Sequence, residues 1–445
     1  MKRSTILALG ISLLALGACK GTSEVADAGR DAAPAVDSGG MPDAGNDAGS
    51  GPPELPSTCE SQGDRIELDD ETGDVLSYDM MWTANGLTAI WAQKVINAQS
   101  WQLVMGFYDK DLVALGEPVL LAERATLLTE PRIGWNGTEY VVLWRDSRWD
   151  DACSDPSACK TDLALARFTA DGLPAGGGEI TRLSSELKVV DRPILLGTQS
   201  GMLAIWLQRE GSNPMIGRLY AIALDEQGGV LGTKKVLNAE GDVMQGSYAA
   251  GWTTGGGVAT WAEGEMDGFM IQAFDDEGNP IGNKIPIVTG GTVSRMDLQP
   301  QAGGGFFIAW SQALPGTVVD FEIFVSGLNP STGLTGETKR QSWTMGGADA
   351  PKLVKKDAGW AILWVADTEQ GGKSCLKPYC NTDLYLTLMS DDGEPMTWPK
   401  LVTDDPNRCD RDLAVWTGDS FINAWTAIRP YREALFARKM ACSAP

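Results

Sequence analysis

The stretch WNGTEYVVLW, from Trp135 to Trp144, decides the fold because variants of it recur along the chain. Each variant has an apolar stretch, a turn rich in Gly, Asn, Asp or Thr, and a short strand ending in tryptophan, as in a tight β-hairpin. The closing tryptophans are Trp91, Trp144, Trp206, Trp261, Trp310, Trp364 and Trp425. They stand roughly 50 to 60 residues apart, a period that predicts one repeated supersecondary unit.

A second hairpin follows the first in each repeat. Examples are LYAIALDEQGGVLGTKKVL at 219–237 and FMIQAFDDEGNPIGNKIPIV at 269–288, in which an Asp-rich turn ending in glycine separates two strands. Glycine supplies the positive φ that such a reversal needs. Four strands per repeat predict an all-β fold, and the chain resembles the seven-bladed β-propellers of bacterial surface lipoproteins, with four antiparallel strands per blade.

The two ends of the folded part predict how the ring closes. The last repeat has only three strands, whereas DRIELDD at 64–70 precedes the first repeat without a partner. We therefore expect this N-terminal strand to complete blade seven, and Cys59 to meet Cys442 across the pair. A disulfide there suits an oxidising compartment.

The repeated tryptophans have a structural explanation. Hairpins of neighbouring blades pack face to face, and a large rigid side chain at the same place in each fills the wedge between them. Removing a buried tryptophan typically costs about 3 to 5 kcal/mol. We therefore expect these seven side chains to form the core rather than to stack on a ligand.

Four further cysteines lie in two insertions, at the same place in the two longest repeats. Cys153 with Cys159 and Cys375 with Cys380 are each expected to form a local disulfide. Cys409 has no assigned partner, so a disulfide between Cys409 and one cysteine of the second pair is the alternative. No histidine is present to complete a zinc site around these thiols.

The N-terminus predicts secretion. Lys2 and Arg3 precede an apolar run from Ile6 to Leu16, too short to span a membrane. The run ends in Leu-Gly-Ala-Cys, which resembles the bacterial lipobox, in which Cys19 is lipidated after cleavage. The expected organisation is a signal peptide at 1–18, a lipidated cysteine and disordered Asp/Ala/Gly/Pro-rich tether at 19–58, and the propeller at 59–445. The resemblance implies a Gram-negative outer membrane or cell surface, reached through the lipid anchor.

Charge and composition restrict the function. With 36 Lys and Arg against 59 Asp and Glu, the net charge is −23, which argues against nucleic acid as a partner. The absence of histidine excludes Ser-His-Asp triads and histidine-bound zinc. A glycoside hydrolase that uses two carboxylates stays open as the alternative function.

Two sets of residues are candidates for binding. In the first insertion, Trp149 lies beside Asp150, Asp151 and Asp155, where an indole next to carboxylates could stack on a ligand; a ring folded over its own disulfide is the alternative. A second set of carboxylates recurs at or near the start of the innermost strands: Asp79, Glu130, Asp191, Asp297, Asp349 and Asp412. If they converge at one mouth of the channel, they could bind Ca²⁺, and otherwise they form a solvated rim.

The sequence therefore predicts a lipid-anchored envelope β-propeller that acts as a non-catalytic binding or scaffolding module for a protein or glycan. Exposed aromatic residues on one face would favour a glycan. A cleft with two carboxylates about 5 to 10 Å apart would favour a hydrolase.

Overall fold

The computed structural model describes residues 58–443, except 70–72, 97, 99, 125, 154–158, 185, 187, 210–215, 239–242, 264–266, 315–320, 343–346, 368–381, 404–408 and 430–431. The backbone alone is described at 245–246, 367, 409–412 and 443. These residues form an all-β structure with a single 3-10 turn at Gly176–Gly178. Within them, no helix has the length and apolarity that a membrane crossing requires.

The described residues form 28 strands. Those up to residue 253 are β1 Thr58–Glu67, β2 Gly73–Thr83, β3 Gly86–Val95, β4 Trp101–Tyr108, β5 Val119–Arg124, β6 Leu128–Trp135, β7 Glu139–Asp146, β8 Asp162–Thr169, β9 Thr181–Arg182, β10 Val190–Gly197, β11 Met202–Arg209, β12 Ile216–Leu224, β13 Val230–Val236 and β14 Val243–Thr253. Those that follow are β15 Gly256–Glu263, β16 Gly268–Phe274, β17 Pro280–Val288, β18 Val293–Pro300, β19 Phe306–Ala313, β20 Phe321–Asn329, β21 Gly333–Arg340, β22 Ala348–Lys355, β23 Trp360–Asp367, β24 Thr382–Met389, β25 Lys400–Leu401, β26 Cys409–Trp416, β27 Ser420–Arg429 and β28 Arg432–Ser443.

The strands pair in antiparallel groups of four, which we call units. Units 1 to 6 are β2–β5, β6–β9, β10–β13, β14–β17, β18–β21 and β22–β25, and unit 7 is β26–β28 with β1. Units 3 and 4 are joined into one eight-stranded sheet by a short pairing of β12 with β14. Since each unit holds the two hairpins that the repeat encodes, the predicted four-stranded pattern is confirmed.

The N-terminal strand pairs with the C-terminal one. Strand β1 runs antiparallel to β28, with Cys59 opposite Cys442, and these two cysteines form the predicted disulfide. The strand begins at Thr58, earlier than the sequence indicates, and a register shift interrupts it between Gln62 and Ile66. Unit 7 is thus built from both ends of the chain.

The hydrophobic core lies between successive units. The seven closing tryptophans are each 0 or 1% exposed, which confirms that they are core residues. Each belongs to a different one of seven clusters, which join unit 1 to 2, 2 to 3, 3 to 4, 4 to 5, 5 to 6, 6 to 7 and 7 to 1. Second strands such as β11 are buried along almost their whole length, whereas the fourth strand β17 is largely exposed. This is why the second strands carry the unbroken apolar runs of the sequence.

Each first strand carries an irregularity near its start. The register against the second strand shifts there in all seven units. In units 2, 3 and 6 the shift holds a left-handed residue followed by proline, namely Glu130, Arg192 and Ala350, with φ of 52°, 45° and 56°. Such bulges twist the strand and release backbone groups from the ladder, so that these groups can bond to side chains of a neighbouring unit.

Candidate functional site

Several predicted site residues lie outside the described part of the chain. These are Cys19, Asp155, Cys375 and Cys380, and for Cys409 and Asp412 only the backbone is described. The first insertion does contain the predicted disulfide between Cys153 and Cys159.

The tryptophan of this insertion packs against the core and against two arginines. Trp149 is half-buried against the cluster between units 1 and 2. The guanidinium carbons of Arg148 and Arg182 lie 5.3 and 5.0 Å from its ring centroid. Asp150 accepts hydrogen bonds from the backbone N–H of Ala152 and Lys160, while Asp151 is exposed. The ring thus lies between the core of units 1 and 2 and two guanidinium groups, and ligand stacking on Trp149 stays a prediction.

The recurrent carboxylates connect neighbouring units instead of sharing an ion. Asp79 accepts from the backbone N–H of Ile133 at 3.0 Å, and Asp297 accepts from that of Leu353 at 2.8 Å. Both amides lie just after a bulge in the first strand of the next unit. Because a bulge takes an amide out of the ladder and a buried amide needs an acceptor, the carboxylate of the preceding unit supplies it.

The other three carboxylates of this series bind cations or hydroxyls. Glu130 and Asp191 each lie 3.0 Å from the same Nη1 of Arg145, and Asp191 also lies 2.6 Å from Nε of Arg209. Asp349 accepts from the hydroxyl of Ser311 at 2.6 Å.

These partners account for the described carboxylates without an ion, and the calcium site stays a prediction. In the part of the chain that the structure describes, no three Asp, Glu, Cys or His side chains are grouped so that they could hold a metal ion. The five carboxylates whose side chains are described each bind a donor at the boundary between two units, which gives their recurrence a structural reason.

Burial and neighbouring arginines shift the pKa values of several groups in this network. Burial raises the pKa of Asp79. Burial also acts to raise the pKa of Glu130, but Arg145 and the Arg192 amide outweigh it and hold that pKa below the usual 4.5. Burial raises the pKa of Tyr248 as well, and its hydroxyl donates to the Asp191 carbonyl at 3.0 Å. The only close carboxylate pair of this network, Glu130 and Asp191, is thus bound to arginine.

A groove lies at the opposite ends of the first strands. The turns that join the first and second strands of units 3, 4 and 5 surround an open space of about 500 Å³. Its lining consists of Gly197, Thr198, Gln199, Trp252, Thr253, Thr254, Pro300, Gln301, Ala302, Gly303 and Gly304. None of these side chains is charged, and hydroxyl, amide and indole groups provide its chemistry.

Local interactions shape the walls of this groove. The Gln199 amide donates to the Thr254 carbonyl at 3.1 Å and ties the turn of unit 3 to that of unit 4. In the turn of unit 5, the backbone N–H of Gln301 donates a hydrogen bond to the backbone carbonyl of Gly305. Gly303 and Gly304 in this turn have φ of 97° and 92°, a backbone conformation that is strained for residues with a side chain.

A second repeated tryptophan is present at the middle of the groove and missing from the units on both sides of it. The position nine residues before the closing tryptophan is a half-buried tryptophan in four units: Trp82, Trp135, Trp252 and Trp416, in units 1, 2, 4 and 7. Units 3, 5 and 6 have Gly197, Gln301 and Lys355 there instead. Trp252 therefore has a neighbour without an indole on either side. A Cβ placed at Gly197 would meet nothing within 4 Å.

Sequence reasoning missed this groove, although a signal for it was present. Tryptophan also opens the motifs at Trp135, Trp252 and the last repeat, and its replacement by glycine at 197 marks a gap in the pattern. Only the packing of units 3, 4 and 5 shows that the neighbouring turns leave an open space at this position.

Comparison with known proteins gives a likeness of architecture at low sequence identity. No protein-family model matches the chain, and no curated protein sequence does either. The polysaccharide lyase Uly1 is 9% identical with a TM-score of 0.48, and the match covers 84% of this chain and 90% of the lyase. A Dyadobacter fermentans protein of unknown function is 10% identical with a TM-score of 0.45, over 71% of this chain and 95% of the other. The Trypanosoma rangeli sialidase is 10% identical with a TM-score of 0.41, over 75% of this chain and 57% of the sialidase.

Proposed function

We propose that this chain is a non-catalytic binding module of the cell envelope, with its ligand site in the groove between the turns of units 3, 4 and 5. The observation that carries the proposal is the groove itself, which is open, uncharged and lined by an indole, hydroxyls and amides. Convergent polar groups beside an aromatic ring are typical of a ligand site.

The scaffold of this module is a closed seven-bladed ring. Contacts between first strands run from β2 to β6, β10, β14, β18, β22 and β26, and β26 contacts β2. The cluster between units 7 and 1 and the Cys59–Cys442 disulfide support the same closure. A ring holds the three turns of the groove at fixed separations, so that the site is preorganised before a ligand arrives.

The proposal places the ring outside the cell on a lipid anchor. The lipobox ending at Cys19 and the Asp/Ala/Gly/Pro-rich segment that follows support an acylated cysteine and a flexible tether. The two disulfides are consistent with an oxidising compartment. Mass spectrometry of the mature N-terminus tests this part, with an acylated Cys19 as the expected result and an unmodified or uncleaved one as the contrary result.

One observation favours glycoside hydrolysis as a second candidate function. Glu130 and Asp191 lie close enough to share one Arg145 nitrogen, at 3.0 Å each. Asp191 is only 2% exposed, however, and both carboxylates are neutralised by arginine. Hydrolysis of an oligosaccharide that is lost in Glu130→Gln would make this the better function.

The binding proposal is tested by filling the groove. Gly197→Trp restores the side chain that four other units have at this position, into open space, so the fold should tolerate it. Gly116→Trp is the matched control, because Gly116 is also exposed, has no left-handed φ and has nothing within 4 Å of its Cβ position.

Binding is measured by calorimetry on the full mature chain in detergent, against a panel of oligosaccharides and unstructured peptides. We expect Gly197→Trp to weaken binding by at least about 10-fold, or 1.4 kcal/mol, while Gly116→Trp leaves it unchanged and both keep the parental Tm. Equal binding by Gly197→Trp and the parent would refute the groove as the site.

A further inference from the structure

We infer that the groove selects an uncharged, hydroxyl-rich chain molecule, a neutral oligosaccharide, and this inference rests on the binding function proposed above. The five polar side chains of the lining are all neutral hydrogen-bonding groups: Thr198, Gln199, Thr253, Thr254 and Gln301. Each hydroxyl or amide can both donate and accept, as sugar hydroxyls do. The indole of Trp252 adds a flat apolar surface on which a sugar ring can lie.

Charge complementarity opposes an anionic ligand. A carboxylate or sulfate entering the groove would lose water and find no cationic side chain in the lining, which is costly for a desolvated charge. Acidic side chains adjoin it instead: Ser200 donates to Asp276 at 3.0 Å, beside the turn of unit 3. The net charge of −23 adds long-range repulsion.

Among the described residues, a cation that hydrogen bonds place beside this region is already neutralised. The side-chain amide of Gln301 donates to the backbone carbonyl of Asp391 at 3.5 Å, so residue 391 adjoins the turn of unit 5. Lys355 lies 2.5 Å from the Asp391 carboxylate. A cationic ligand would find carboxylates near the groove but none in its lining, so neither sign of charge forms an ion pair inside the groove.

Peptide recognition fits the groove less well. Strand addition needs an open sheet edge, whereas chain reversals form these walls. Binding of an amphipathic helix needs an apolar groove, and recognition of acidic motifs needs an arginine cluster. The lining offers neither, so the polar walls and single indole favour a saccharide.

The test compares ligand classes on the full mature chain in detergent by calorimetry. The panel contains neutral glucan, xylan and mannan oligomers, acidic oligouronates, cationic glucosamine oligomers and uncharged peptides. We expect one or more neutral oligomers to bind, with an affinity that changes less than about 2-fold between low and high salt, since no ion pair forms.

Two tryptophan variants locate the stacking surface. Trp252→Ala should weaken neutral-oligomer binding by about 10-fold through the lost ring contact. Trp135→Ala is the matched control, because Trp135 has the same position in unit 2 and a comparable burial but lies outside the groove. Gly197→Trp keeps the test valid if Trp252→Ala fails to fold.

The outcomes separate the two proposals. One outcome is an acidic, cationic or peptide ligand that binds the parent and fails to bind Gly197→Trp. That result overturns the inference of a neutral saccharide and leaves the groove as the binding site. Binding that Gly197→Trp does not affect overturns both. Failure of every neutral oligomer to bind overturns the inference.

Discussion

At the scale of single residues, Asn423 departs from the pattern of its repeat. Its side chain is fully buried in β27, and neither its amide nitrogen nor its amide oxygen has a hydrogen-bond partner in the described structure. The six other units have apolar residues at this position: Ala89, Val142, Ala204, Ala259, Ile308 and Ile362. A buried amide without partners loses hydration and gains nothing in return.

We predict that Asn423→Val raises the free energy of unfolding by about 1 to 3 kcal/mol, since it removes two unsatisfied polar atoms. Val142→Asn, the reverse change at the same position of unit 2, should lower it by a similar amount. Denaturant unfolding of the two variants gives both values. A less stable Asn423→Val would mean that the amide is satisfied by buried water.

The closing tryptophans illustrate which residue contacts a sequence can predict. Their burial follows from the repeat, but the partner of the indole N–H does not. Trp91 donates to Gln93 and Trp310 to Gln312, two residues further along the same strand. Units 6 and 7 have alanine at that place, and the indole nitrogens of their closing tryptophans have no described acceptor. Unit 3 has the same Trp-x-Gln pattern with Gln208, yet the Trp206 indole nitrogen has no described acceptor, so only the rotamers show where the pattern forms a bond.

At the scale of elements, the first strands are held to one another through their bulges. Glu130 in β6 accepts from the Arg192 amide of β10 at 2.6 Å and from Arg145 at 3.0 Å. The sequence predicted hairpins well because turn glycines and alternating residues are local signals. It offered a calcium site or a solvated rim for the carboxylates and not these contacts, because bulges, which create the amide donors, have only a weak local signal such as Glu-Pro or Arg-Pro.

We predict that Glu130→Gln lowers the free energy of unfolding at pH 7 by about 1.5 to 3 kcal/mol, through loss of a charged acceptor. Burial acts to raise the pKa of Glu130, but Arg145 and the Arg192 amide lower it overall below 4.5. The stabilisation is therefore present above pH 4.5 and is lost as the pH falls through the lowered pKa of the folded state.

Denaturant unfolding between pH 7 and about pH 3 measures this loss. The difference between the parent and Glu130→Gln should shrink toward the acid end. Glu139→Gln is the control, since Glu139 pairs with Arg167 at a partly exposed site and should change stability by less than about 1 kcal/mol. A difference between Glu130→Gln and the parent that is independent of pH would assign the contribution to shape rather than charge.

At the scale of the whole molecule, a repeat specifies its units more firmly than the way they join. The four-stranded pattern and the pairing of the N-terminal strand could both be predicted, because each requires only counting strands. The groove depends on which units lack a tryptophan and on how their turns pack, so it is a property of three units together. A site formed in this way leaves no motif within any single repeat.

The proposed closure of the ring leads to a prediction about the Cys59–Cys442 disulfide. It joins residues 383 apart in sequence, so it restricts the unfolded chain far more than the Cys153–Cys159 bond, with a separation of 6. Replacing Cys59 and Cys442 together by serine should lower stability by about 4 kcal/mol, and the same change at Cys153 and Cys159 by about 2 kcal/mol or less. Thermal and denaturant unfolding under non-reducing conditions measure both. If the first pair costs no more than the second, the N-terminal strand does not hold the ring closed, and the contacts between units 7 and 1 must do so without it.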